Sequence, residues 1–107
     1  MQTIPTPTTR TRTFESGETV QFTEWTVGAY TLRKTEEPGY SDWGVVAADR
    51  DLPTITNTAS YRAKAPEFGV NWSACGTQSS ADARAYAALL ATAADVADLF
   101  NRIVEDN

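Results

Sequence analysis

SSADARAYAALLATAADVADLFNRIVE, residues 79–105, decides the fold. Ser79 or Ser80 can accept a backbone N–H as a helix N-cap, and Asp82 follows Ser79 at the weak capping-box distance. Asp82 also puts negative charge in the first turn, where the helix dipole favours it. No Pro or Gly interrupts residues 81–107, and alanine and leucine dominate. Tyr86, Leu90, Ala93, Ala97, Phe100 and Val104 step by alternating fours and threes. Leu89, Val96 and Ile103 widen that stripe at heptad spacing. Such spacing predicts one long C-terminal helix, roughly 37 Å from end to end. Its small middle (Ala93, Ala94, Ala97) lets another backbone approach. Two partners suit it: a sheet of its own chain, or a second copy paired through the heptads.

Upstream, the sequence reads as strands. Val20 and Phe22 keep one phase and Trp25 and Val27 the other, which predicts a bulge or bend near residues 23–24. Gly28 marks the next change of phase, before Tyr30 and Leu32. Residues 35–42, TEEPGYSD, read as a loop with Pro38-Gly39 in a type II turn. The run WGVVAAD, residues 43–49, is nearly all apolar and predicts a central strand. Short strands are expected over residues 52–57, with Pro53 at the start suiting an edge, and over residues 61–65. Phe68, Val70 and Trp72 alternate cleanly, placing Trp72 in the core, where Trp25 is also expected. The expected architecture is α+β: an antiparallel β-meander of about five strands packed against one long C-terminal helix. Residues 1–13, with Pro5 and Pro7, are expected as a flexible Thr/Pro-rich arm, and residues 14–107 as a single domain.

Charge and composition narrow the function. Nine basic against fourteen acidic residues give a net charge of −5, and two of the basic ones, Arg10 and Arg12, lie in the arm. That balance disfavours direct nucleic-acid binding and suits a partner with a basic surface. No apolar run is long enough to span a membrane, and MQTIPTPTTR lacks the apolar core of a signal peptide. With a single cysteine, Cys75, the chain cannot close an internal disulfide, and the expected compartment is a reducing cytoplasm. The chain has no histidine, which removes His-dependent triads and the commonest metal and acid–base ligand. Asp49-x-Asp51 suggests turn chemistry more than a cation site, because a hard cation needs further oxygens. Glu36 and Glu37 are adjacent in sequence, a poor spacing for two acids that must share one reacting bond. No catalytic set, cofactor or metal is therefore expected.

Residues 68–104 carry a strand ending in Val70-Asn71-Trp72-Ser73-Ala74, then Gly76, a Ser cap, and Ala83-Arg84-Ala85-Tyr86-Ala87 opening an alanine-rich helix. This pattern resembles short, uncharacterised α+β proteins of actinobacteria and their phages. The resemblance covers about a third of the chain and implies a small protein of phage or mobile-element type. It implies no catalytic or binding residue.

The expected function is a small, acidic, non-enzymatic protein-binding module, an accessory protein that inhibits a host protein in an anti-defence role. Aromatic anchors ringed by acids are what such a patch needs. The residues expected to carry it are Glu36, Glu37, Tyr40, Asp42 and Trp43, with Asp49 and Asp51 as neighbours. The alternative is a structural or assembly subunit that self-associates, as a homodimer or more, through the C-terminal helix.

Overall fold

The computed structural model describes residues 3–59, 65–72 and 79–107. The strand expected over residues 61–65 and the link containing Cys75 lie outside most or all of that range. Two compact units, residues 1–48 and 49–107, are each built from contiguous chain.

The first unit is an antiparallel meander of four strands in the order β1-β2-β3-β4. These are β1 (Thr8–Thr13), β2 (Thr19–Val27), β3 (Tyr30–Glu37) and β4 (Tyr40–Ala47). The expected arm thus contributes a strand, exposed along its whole length. Gly28 turns β2 into β3 with φ 59°, the left-handed first position of a type II′ hairpin turn. Gly39 turns β3 into β4 with φ 78°, as the third position of a type II turn requires. TEEPGYSD is therefore a tight hairpin, not a loop, with Glu37 directly opposite Tyr40.

No bulge interrupts β2: its ladder with β3 runs unbroken from Gln21 to Val27. The change of phase instead loads both faces of one strand. Trp25 and Val27 share a face with their partners Leu32 and Tyr30, and Val20 and Phe22 point to the other. Trp25, Tyr30 and Leu32 are buried, and Trp43, Val45 and Ala47 extend that apolar face half-buried. The WGVVAAD run is not a central strand. It forms most of β4, which ends the sheet, with Gly44 and Val46 exposed on the opposite face. Apolar residues on the open face hid the alternation that marks an edge.

The second unit pairs β5 (Thr54–Asn57) with β6 (Phe68–Asn71) and adds α1 (Ser80–Glu105), which packs chiefly on β6 and also on β5. The fold class is α+β, with the strands divided four and two. Ser79 is the N-cap, its hydroxyl accepting the Asp82 N–H at 3.0 Å. Only the C-terminal half of the stripe is buried: Ala93, Val96, Ala97, Leu99, Phe100, Ile103 and Val104. Tyr86 and Leu90 are half-buried and Leu89 is exposed. Asn101 joins helix to ribbon. Its side-chain carbonyl accepts the Phe68 N–H at 2.7 Å and its amide donates to the Phe68 carbonyl at 3.0 Å. Those two groups point away from β5, so the carboxamide closes the outer edge of β6 as another strand would.

Trp72 is not core. It lies one residue past the end of β6 and is 58% exposed. The last ladder pair is Thr54 with Asn71, so Trp72 lies beyond the paired length of the ribbon.

Candidate functional site

The β3–β4 hairpin brings most of the expected site residues together, on two faces. Strand alternation puts Glu37, Tyr40 and Asp42 on the face away from Trp25, and Glu36 and Trp43 on the face with it. Tyr40 is 58% exposed, although aromatic rings of this size are usually at least partly covered. Glu37 stands across from it and Asp42 two residues along. Neither acid has an ion-pair partner within 4 Å among the described residues. Glu36 does: Lys34 Nζ lies 3.8 Å from its carboxylate.

Trp43 is held rather than free. Its ring stacks on Trp25 with centroids 5.7 Å apart and planes 24° apart, and Lys34 Nζ lies 5.2 Å from its centre. It serves as a half-buried strut under the hairpin, so removing it would disturb the sheet as well as any surface. Asp49 and Asp51 belong to the second unit. The Asp49 carboxylate accepts the Asp51 N–H at 2.9 Å, a local turn bond of the kind aspartate favours.

On the same face as Tyr40, further along the sheet, Arg10, Glu24 and Arg33 tie three strands. Glu24 accepts from Arg10 Nε at 2.9 Å and from Arg33 at 3.3 Å. Arg10 also lies 4.7 Å from the centre of the Phe22 ring. Partial burial pushes the Glu24 carboxyl up, but the Arg10 hydrogen bond, then the charge and hydrogen bond of Arg33, outweigh it and hold the group below its usual value. A depressed folded pKa contributes stability above the unfolded pKa and loses it as pH falls through the folded one. Glu24→Gln should therefore be less stable than the wild type near neutral pH, and the gap should close as pH drops below about 4.5. Urea midpoints measured across that range check it; a gap that does not change with pH would contradict it.

The second unit carries a surface depression that the sequence did not announce. Arg50, Asp51, Asn71, Trp72 and Tyr86 help line an open depression of about 280 Å³. Alternation through Phe68 and Val70 places Trp72 in the core only if pairing continues past Asn71, and the ladder ends there. Among the described residues, no group of three or more Cys, Asp or Glu side chains is placed to hold a metal ion, and no helix is long and apolar enough to cross a membrane. No family model, no curated protein and no solved structure matches the chain.

Proposed function

We propose that this chain is a small, non-enzymatic protein-binding module that engages a basic protein surface through its β3–β4 hairpin. The observation that carries the reading is the exposed Tyr40 ring between Glu37 and Asp42, two acids without an ion-pair partner among the described residues. Exposed tyrosine supplies a rigid anchor, and the carboxylates steer a positively charged partner and speed encounter. The negative net charge acts in the same direction. The resemblance over residues 68–104 makes the biological setting that of a phage or mobile-element accessory protein acting on a host protein in the cytoplasm.

The test is a pull-down from actinobacterial lysate read by mass spectrometry, with the wild type and the triple variant Glu37→Lys/Tyr40→Ala/Asp42→Lys. A protein captured by the wild type should be retained about tenfold less by the variant and should elute with added salt. Equal capture by the variant, or capture indifferent to salt, would contradict the reading.

A second reading, self-association through α1, draws on the exposed Leu89 beside half-buried Tyr86 and Leu90. Light scattering separates the two. An oligomer that Leu89→Glu dissolves favours assembly, and a monomer favours the module.

A further inference from the structure

β4 ends its sheet, with no strand paired on its outer side among the described residues. The Ala48 N–H donates to the Ala29 carbonyl at 2.7 Å, which fixes the phase of the ladder. Residues 40, 42, 44 and 46 share that phase and turn their N–H and C=O groups toward β3. Ser41, Trp43, Val45 and Ala47 turn theirs outward. Among the described residues, none of those four makes a backbone bond on the outer side.

Proteins usually blunt such an edge with proline, lysine, a bulge or a short strand. Here β4 runs for eight residues, YSDWGVVA, with no proline, no basic residue and an unbroken ladder. Tyr40 is 58% and Val46 53% exposed along it. The outer edges of β1 and β6 differ. Arg10 and Arg12 stand on β1, and the outer edge of β6 is closed at Phe68 by the Asn101 carboxamide.

Resting on the protein-binding reading, we infer that β4 is a docking edge that takes an extended basic segment of the partner as a fifth strand. Strand addition gains main-chain hydrogen bonds from the open edge and specificity from alternate side chains. The outward face of β4 presents Tyr40, Asp42, Gly44 and Val46 in order. The incoming strand therefore places lysine or arginine beside Asp42 and an apolar residue beside Val46. Between them it places a large side chain beside Gly44, where even a Cβ would meet nothing within 4 Å. Charge selects this occupant over a second copy, since each copy carries −5 and would bring its own hairpin acids to the same edge.

The probes are two ten-residue peptides, each carrying valine, tyrosine and one charged residue at successive alternate positions so that the three share one strand face, the charged residue being lysine in one and glutamate in the other, added to the isotope-labelled full chain. Amide exchange at residues 41, 43, 45 and 47 should slow about tenfold with the lysine peptide and stay unchanged with the glutamate peptide. Ser41→Pro removes one outward donor from an exposed position and should weaken lysine-peptide binding about tenfold. Val46→Lys, which leaves every N–H in place, should weaken it too and stands in if the proline variant does not fold.

Lysine-peptide binding that leaves those four amides unprotected would overturn strand addition while sparing the acidic-hairpin reading. Equal protection by both peptides, or no binding of either, would overturn the basic occupant. Protection without peptide, in a dimer that Ser41→Pro splits, would make a second copy the occupant and overturn it as well. Loss of salt-sensitive capture in the lysate experiment is the separate result that removes the protein-binding reading itself.

Discussion

Phe100→Ala is expected to cost about 3–5 kcal/mol of folding stability. Phe100 is fully buried and is the largest side chain in that state among the described residues. It sits inside the covered half of α1, where Ala97 and Val104 lie one turn away on the same face and are themselves buried. Truncation removes the ring's transfer free energy and leaves a cavity that a close-packed interior does not refill. Whole-domain stabilities are about 5–15 kcal/mol, so the variant should be marginal at room temperature. Urea unfolding followed by circular dichroism reads the loss. Leu89→Ala, at a 39% exposed position of the same helix, should change stability far less. Similar losses for the two would mean that the burial does not divide the helix as described.

Asn101→Ala is the second large effect, at about 2–3 kcal/mol. The substitution removes both partners of the Phe68 peptide groups, and an unsatisfied buried donor or acceptor costs about 1–3 kcal/mol. The site is part-buried, so water recovers some of that cost. Asn101→Asp keeps an acceptor for the Phe68 N–H but sets a carboxylate against its carbonyl, and should also destabilise. The Phe68 amide supplies a local readout: its hydrogen exchange should quicken in Asn101→Ala more than that of residues in β2 or β3. Unchanged exchange at Phe68 would remove the edge-closing role of Asn101.

The helix was legible because its signals are local. Ser79, Asp82 and the three-four spacing of apolar residues act within a few turns of one another, and the observed cap and bounds follow them. How far that stripe is covered was not legible. Burial of Ala93 but not Leu89, and of Leu99 outside the expected stripe, depends on packing remote in sequence. The α+β class was also readable, from strands preceding a single helix. Their division into four and two was not, because periodicity within a strand carries no record of its neighbour.

Among site residues, the expected cluster over 36–43 meets in one hairpin, since Pro38-Gly39 closes it within two residues. Its division between two faces follows from the strands continuing to the turn, which reading residues 35–42 as a loop concealed. Trp43 looked like an anchor and is a strut, because its cross-strand neighbour Lys34 and the Trp25 ring hold it. The open edge of β4 could not be seen in a run of apolar residues that suits a central strand equally well.

On the proposed function the hairpin, and not the helix, meets the partner. Amide shift mapping on the labelled chain, titrated with the protein captured from lysate, tests it most directly. The largest shifts should fall on residues 37–46 and fade as salt is added. Shifts confined to residues 80–92 of α1, or to Trp72 and Tyr86, would contradict it.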